Sequence, residues 1–300
     1  MNLSGTVVPM ATPTHGSRRS VDDEALRQFT RKLVDGGVHG LFPGSSIGEF
    51  PSLTTEQNRR VVRIVVEETD GEAAVLAGCC DTSVDAVLDN VEAADAAGAD
   101  AAVVVSPYYL GTTQPGLERF FTAIADESPL PLLLYNIPPL TGNELGVDLV
   151  TRLAEHDTIA GLKDTSGDLT YHHRIASETP EDFLLFQGAT QLATASLELG
   201  ADGLIAGPAN VFPGPLSTLY EAYAADDLAE ARRLMQAIVT PFVTATSDMP
   251  TAAAIKHLSG VDGLEIGGPL PPLPELTDEE RASLAATYSR ISEQVGEPTV

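Results

Sequence analysis

Eight short apolar runs alternate with amphipathic stretches of helical length along most of this 300-residue chain. The runs are continuously apolar instead of alternating in polarity, which is typical of strands buried on both faces of a parallel sheet. Eight such strands with helices between them predict an α/β fold, a (β/α)8 TIM barrel. The predicted strands are Gly5–Met10, Gly40–Phe42, Ala74–Gly78, Ala101–Ser106, Leu132–Asn136, Ile159–Lys163, Phe183–Gln187 and Gly203–Ala206.

The helical segments between these strands have recognisable ends. Ser20 and Thr54 stand where a residue would cap the first and second helix. Gly37, Gly98 and Gly200 each follow a helical segment and precede a strand, as expected for a left-handed residue that closes a helix. The periodic segments are Val21–Asp35, Thr55–Glu68, Val84–Ala97, Gly116–Glu127, Gly146–Glu155 and Gln191–Leu199.

The chain continues beyond the eighth unit. Residues 1–224 are predicted to form the barrel and residues 225–300 a helical extension packed on it, with helices over Leu228–Thr244 and Thr277–Glu293. An open, doubly wound sheet is the alternative fold. The turn Met10–Thr14 lacks the glycine-rich fingerprint of a dinucleotide site, which favours the barrel.

Acidic side chains outnumber basic ones by 43 to 17, which gives a net charge of −26. Such a surface repels nucleic acid and anionic lipid, so neither is an expected partner. Scattered acid with only three lysines resembles the surfaces of halophilic proteins, where salt screens the self-repulsion. No apolar run reaches the length of a membrane span and no signal-peptide pattern is visible, so a cytoplasmic protein is expected.

Catalytic residues of such barrels lie at the carboxyl ends of the strands, and this rule selects Lys163 at the end of the sixth. A buried lysine favours its neutral, nucleophilic form and can carry imine chemistry. Lysines at strand ends more often extend to solvent, so the position alone leaves both interpretations open. The same rule selects Tyr108, Tyr109 and Gly188 at other strand ends, and Tyr109 and Gly188 are predicted to contact the substrate.

The turn after the second strand, Gly44-Ser45-Ser46-Ile47-Gly48, matches the G-x-S-x-G pattern of serine hydrolases. The next helix begins near Thr54, too late for the sharp turn of such an enzyme, and no histidine is predicted at a strand end. A plain tight turn is a second interpretation. A third is a nest of backbone N–H groups and serine hydroxyls that binds a carboxylate.

Tyr135 ends the fifth predicted strand, next to the strand that ends in Lys163. It is either a core tyrosine with its hydroxyl at the barrel rim or a phenol that passes protons to and from an imine. Tyr108 and Tyr109 could extend such a relay or serve only in packing.

Four separated stretches carry a more specific pattern, and the tail Ala254–Leu258 continues it. They resemble the superfamily of pyruvate-dependent aldolases and lyases that includes dihydrodipicolinate synthase, N-acetylneuraminate lyase and 2-keto-3-deoxygluconate aldolase. The stretches are Gly40–Thr54, Ser106–Tyr109, Tyr135–Pro138 with Thr141 and Gly142, and Gly161–Asp168.

The resemblance implies roles for individual residues. Lys163 would form a Schiff base with the keto carbon of pyruvate or another 2-keto acid, and Tyr135 would shuttle protons. The turn of Ser45, Ser46, Ile47 and Gly48 would hold the pyruvate carboxylate. Ile205 would offer a backbone contact. The resemblance also implies an enzyme that is a homotetramer and needs neither a metal nor an organic cofactor.

Two departures from the family pattern bear on the substrate. Ile47 stands where a second hydroxyl residue is usual, so carboxylate binding would depend on backbone N–H groups and Ser46. Leu140 stands where dihydrodipicolinate synthases carry an arginine that grips the carboxylate of aspartate semialdehyde. Leucine makes no such contact, and Leu140 with the Lys163–Asp168 motif looks closer to the sugar-acid aldolases.

The expected activity is therefore Schiff-base cleavage of 2-keto-3-deoxygluconate, or its 6-phosphate, to pyruvate and glyceraldehyde or its 3-phosphate. The alternatives within the family are 4-hydroxy-tetrahydrodipicolinate (dihydrodipicolinate) synthase and another lyase or dehydratase. Outside the family they are a serine hydrolase that uses Ser46 and a barrel without catalytic activity.

Overall fold

The structure, a computed structural model, describes residues 3–15 and 20–296. Eight parallel strands close into a barrel in which each strand pairs with its neighbours in the chain and the eighth returns to the first. This confirms the predicted (β/α)8 fold. The strands are β1 Gly5–Pro9, β2 Gly40–Phe42, β3 Ala74–Gly78, β4 Ala101–Val105, β5 Leu132–Asn136, β6 Ile159–Asp164, β7 Leu184–Gln187 and β8 Gly203–Ile205.

A helix follows each strand on the outside of the barrel. These helices are α1 Asp23–Asp35, α2 Thr55–Thr69, α3 Val84–Ala97, α4 Gln114–Glu127, α5 Val147–Leu153, α6 Leu169–Glu178, α7 Ala193–Glu198 and α8 Pro213–Ala224. Thr54 caps α2 in a reciprocal capping box with Gln57, as its sequence predicts. The cap of α1 differs from the prediction, because Val21 pairs with Thr14 in a short antiparallel ladder and Asp22 caps the helix instead of Ser20.

Three further helical stretches follow α8. Helix α9 consists of Leu228–Leu234, a π-helical turn at Met235–Val239 and Thr240–Thr246, and α11 spans Asp278–Val295. Helix α10, Thr251–Ser259, lies outside the helices predicted for this part of the chain, because it is buried on most of its surface and lacks the polar face that marks a surface helix. Within residues 3–15 and 20–296, no helix is long and apolar enough to cross a bilayer.

The core has an inner and an outer part. Side chains such as Val7 and Phe186 fill the barrel interior, while the outer part lies between strands and helices. One outer cluster contains Leu41 of β2 together with Ile238 and Leu284 from beyond residue 225. The extension thus shares a core with the barrel, and the division predicted after residue 224 stays a prediction.

Close strand packing at Gly161 gives a test of this barrel. A Cβ on Gly161 of β6 would collide with the backbone carbonyl oxygen of Leu184 in β7. We expect Gly161→Ala to lower the free energy of unfolding by about 1–3 kcal/mol, because neither backbone can move aside without disturbing the ladder. Urea denaturation measures this change. Gly111→Ala is the control, since its added methyl group meets open space; equal destabilisation by both variants would contradict the packing.

Candidate active site

Lys163 and Tyr135 lie side by side at the carboxyl ends of β6 and β5. Their Cα atoms are register partners, so both side chains point into the same end of the barrel. The Lys163 amine lies 3.9 Å from the centroid of the Tyr135 ring and 4.9 Å from that of the Phe42 ring. The strand order predicted from sequence therefore brings the two candidate residues into contact.

The Lys163 amine is almost entirely desolvated, with the residue 4% exposed. Burial lowers its pKa from 10.5 to about 7, and only a weaker influence of Cys80 acts in the opposite direction. No described residue that lines the cavity around the amine carries a carboxylate, so the lost hydration outweighs what other groups return to the charged form. A large share of Lys163 is consequently neutral and nucleophilic near neutral pH.

Tyr135 is buried with its hydroxyl turned toward other hydroxyl groups. Burial raises the pKa of Tyr135 to about 12, and hydrogen bonding to Ser46 and, more weakly, the proximity of Thr165 act against that rise. The Thr165 hydroxyl is close enough to influence the phenol without meeting the geometry of a hydrogen bond. The phenol therefore keeps its proton at neutral pH and can donate it beside Lys163.

The turn after β2 presents backbone donors to the same space. Ser45 is buried, and its hydroxyl accepts from the N–H of Gly48 at 3.1 Å. The N–H groups of Glu49 and Phe50 donate to carbonyl oxygens inside the turn. Within the described residues, the N–H groups of Ser46 and Ile47 have no acceptor. Two adjacent unpaired donors of this kind suit an anion such as a carboxylate.

Gly188 and Ile205 complete the walls near the amine. A Cβ at Gly188 would lie 3.0 Å from Lys163 Cε and would overlap the Thr165 hydroxyl, so glycine leaves room for the lysine side chain. Ile205 ends β8, is 1% exposed and lines the cavity. Both residues thus lie at the site where the sequence places them.

These groups surround a cavity of about 570 Å³. Its outer wall comes from the extension, with Phe242 and Thr246 of α9 and Thr251 and Ile255 of α10. The strand-end rule could not find this wall, because it selects only barrel residues. Among the described residues that line the cavity, Lys163 is the one with a cationic side chain, and none carries a carboxylate.

A smaller apolar cavity of about 310 Å³ adjoins the first and shares Ser46, Ile137, Leu140 and Leu273 with it. Tyr108 lines this second cavity and packs edge-on against Phe50 at 6.1 Å.

Tyr109, which is predicted to contact the substrate, lies outside both cavities of the single chain. Its side chain is 94% exposed, its backbone has a φ of 76°, and it lines neither cavity. In this chain Tyr108, not Tyr109, faces the site.

The serine hydrolase alternative finds no support in this geometry. Ser46 meets the Tyr135 phenol, and no histidine in the described part of the chain lines either cavity. A general base for Ser46 is therefore missing from its surroundings.

A polar layer lies behind Lys163 on the outer face of the sheet. Asp164 is fully buried, with Asn136 and Gln187 as its register partners on the neighbouring strands. His172 of α6 approaches within 3.3 Å of the Asp164 carboxylate. The three side chains also accept hydrogen bonds from the loops. The backbone N–H of Leu145 donates to Asn136, that of Ser166 to Asp164, and that of Ala189 to Gln187. This layer fixes the loops that carry Thr165 and Gly188.

Comparison with known proteins agrees with the geometry. Residues 2–291 match the model of the dihydrodipicolinate synthetase family. The chain is 34% identical to a 4-hydroxy-tetrahydrodipicolinate synthase of Methanopyrus kandleri, over 96% of each chain. It is 36% identical to an uncharacterized DapA-like lyase of Halobacterium salinarum, over 97% of this chain and 95% of that one.

A solved structure of the same family extends the comparison to three dimensions. YagE of Escherichia coli K12, determined in complex with pyruvate, superposes with a TM-score of 0.92 at 28% identity and covers 97% of this chain and 99% of its own. The family match, the sequence similarity and the structural superposition each extend over nearly the whole chain. The chain belongs to the dihydrodipicolinate synthetase family, whose members are Schiff-base-forming carbon–carbon lyases.

Proposed function

We propose that this enzyme joins or cleaves carbon–carbon bonds through a Schiff base between Lys163 and pyruvate or a larger 2-keto acid. The observation that carries the proposal is the desolvated Lys163 amine, which lies 3.9 Å from the Tyr135 ring centroid with a pKa lowered to about 7. A neutral amine beside a protonated phenol supplies the nucleophile and the acid that imine formation needs.

The chemistry divides between these two residues. The Lys163 nitrogen attacks the keto carbon, and the carbonyl oxygen takes up protons and leaves as water, which gives an iminium ion. Loss of a proton from the adjacent carbon produces an enamine that attacks an aldehyde; in reverse, the iminium accepts the electron pair of the breaking bond. Tyr135 passes these protons, with Ser46 and Thr165 beside its hydroxyl.

The carboxylate of the keto acid is assigned to the turn after β2. The N–H groups of Ser46 and Ile47 have no acceptor within the described residues, and the Ser46 hydroxyl lies beside them. A carboxylate bound there would accept two backbone hydrogen bonds without a cationic partner. This arrangement compensates for the isoleucine that replaces a second hydroxyl residue.

Condensation of pyruvate with aspartate semialdehyde, the reaction of a 4-hydroxy-tetrahydrodipicolinate synthase, is the first candidate for the overall reaction. Its support is the name and the similarity of the Methanopyrus kandleri relative. The name of this relative favours the synthase over the sugar-acid aldolase expected from the sequence.

Cleavage of 2-keto-3-deoxygluconate remains the second candidate because of Leu140, which is 64% exposed and borders both cavities. A leucine offers no partner to the carboxylate of aspartate semialdehyde. Arg119 lies at a separate surface depression and Lys256 is buried in an ion pair, so neither supplies a cation for a phosphate group. The unphosphorylated sugar acid therefore suits this cavity better than its 6-phosphate.

Borohydride reduction with pyruvate tests the Schiff base. We expect mass spectrometry to find the reduced pyruvate adduct on the peptide that contains Lys163 and to find none in Lys163→Ala. Condensation and retro-aldol assays then identify the second substrate. Faster turnover with aspartate semialdehyde supports the synthase, and faster cleavage of 2-keto-3-deoxygluconate supports the aldolase. A wild-type protein without an adduct would contradict the whole proposal.

The lowered pKa of Lys163 predicts how trapping depends on pH. The neutral amine is the reactive form, so the initial rate of adduct formation should rise with pH around a midpoint of about 7 and level off above it. Tyr135→Phe should slow trapping at every pH, since the proton donor is lost, and leave the midpoint in place. A rate that keeps rising toward the ordinary lysine pKa of 10.5 would refute the desolvation of Lys163.

We also propose a homotetramer. Tyr109 and Leu110 are large apolar residues exposed by 94% and 72%, and such a patch is typical of a surface that another chain covers. Light scattering after size exclusion in molar salt should give four times the chain mass of 31.5 kDa. A monomer under these conditions would refute the assembly.

A further inference from the structure

Glu49 occupies a demanding position directly after the turn that presents the Ser46 and Ile47 N–H groups. Its backbone has a φ of 58°, in the left-handed region that favours glycine. Its N–H donates to the carbonyl oxygen of Ser46 at 3.1 Å, so the backbone of Glu49 closes the turn. A residue held in this region needs surrounding contacts that keep it there.

The Glu49 side chain supplies such contacts. One carboxylate oxygen lies 2.7 Å from the Lys256 amine, and the other accepts from the N–H of Leu270 at 2.5 Å. Glu49 is 2% and Lys256 1% exposed, so the two charges meet away from water. Lys256 belongs to α10 and Leu270 to the segment between α10 and α11. The pair therefore connects the barrel turn to the helical extension.

Lys256 extends this connection to a third part of the chain. Its amine donates hydrogen bonds to the Thr14 hydroxyl at 3.0 Å and to the Gly268 carbonyl at 2.9 Å. Lys256 forms an ion pair with Glu49, and its aligned hydrogen bonds go to the oxygens of Thr14 and Gly268. The segment after β1, the turn after β2 and the extension all meet at one amine.

The energetics of the pair favour a positioning role over a purely stabilising one. Desolvation lowers the pKa of Lys256 more than the attraction of Glu49 raises it, so the charged lysine gains little net stability from the pair. Apolar side chains of similar volume would fill such a space at least as well. The hydrogen bonds around the pair fix the direction of both side chains, which apolar side chains do not: Lys256 donates to Thr14 and Gly268, and Glu49 accepts from Leu270.

From this geometry we propose that Glu49 and Lys256 are positioning residues, which hold the Ser46 and Ile47 N–H groups in place for the carboxylate of the 2-keto acid. We call the Glu49–Lys256 pair the clasp. Through it the extension contributes to substrate binding, in addition to forming part of the cavity wall. This inference rests on the proposed function, since it assumes that the turn binds that carboxylate. Neither residue touches the reacting atoms.

Four variants test the clasp. Glu49→Gln removes the charge and keeps the shape, Lys256→Met removes the amine and keeps most of the volume, and the double variant removes both charges together. Glu118→Gln is the matched control, because it breaks an exposed ion pair with Arg152, 2.8 Å between its charged atoms, on the outside of the barrel.

The readouts are KM for pyruvate, kcat at saturating pyruvate, and the pyruvate concentration that gives half-maximal borohydride trapping at Lys163. We expect both single variants and the double variant to raise KM and the trapping concentration by at least about tenfold, with kcat changed by less than about threefold. The control should match the wild type. Circular dichroism and thermal unfolding establish that each variant is folded.

The variants also separate positioning from stability. Removal of one buried charge destabilises a protein more than removal of both, so the double variant should regain unfolding temperature while its KM stays high. If a single variant does not fold, the double variant and Thr14→Val decide the question. Thr14→Val removes the hydrogen bond that Thr14 accepts from Lys256 and the one that it donates to Gly268, and it leaves both charges in place. Thr14→Val should raise KM in the same direction by a smaller factor.

Three results would overturn this inference, and a fourth belongs to the proposed function. A folded double variant with the wild-type KM, or one in which kcat falls as much as KM rises, contradicts a positioning role. Absence of any pyruvate adduct in the wild type contradicts the Schiff base itself. If the wild type is trapped normally and the variants need the same pyruvate concentration for half-maximal trapping, the positioning role is wrong and the Schiff base stands.

Discussion

The removal of water from a single amine is the constraint on which this site depends. An exposed lysine is protonated at neutral pH and is a poor nucleophile. Lys163 avoids this because β5 and β6 place it over the Tyr135 ring with the Phe42 ring on another side. Burial also keeps the Tyr135 phenol protonated. One physical cause therefore prepares both the nucleophile and the acid.

The rest of the fold maintains this dry environment. Gly188 leaves the space that the lysine side chain occupies, and helices α9 and α10 close the cavity from outside the barrel. The polar layer around Asp164 holds the loops at the strand ends, and the Glu49–Lys256 pair connects the turn after β2 to the extension. Barrel and extension thus act as one structure around the amine.

The sequence predicted the parts of this site that depend on strand order. Lys163 and Tyr135 each end an apolar run, and consecutive runs in a parallel barrel are neighbours, so their contact follows from topology. The turn of Ser45–Gly48 was found in the same way. Tyr108 and Tyr109 could not be distinguished, since a left-handed backbone at the second of them decides which side chain faces the cavity.

Other features leave no local signal in the chain. Helix α10 is buried on most sides, so its part in the cavity wall is absent from the hydrophobic pattern. Lys256 pairs with a glutamate more than 200 positions earlier, a contact that only the folded chain creates. The aldehyde partner is harder to predict, because Leu140 favours an uncharged aldehyde, whereas the Methanopyrus kandleri relative carries the name of a synthase.

The most direct test of this account is an NMR titration of Lys163. The chain has only three lysines, so selective labelling of their side chains gives few signals, and Lys163→Ala assigns the one of interest. We expect the Lys163 signal to titrate with a pKa of about 7. A Lys163 that titrates near 10.5 would show that the amine is charged at neutral pH and would contradict the mechanism.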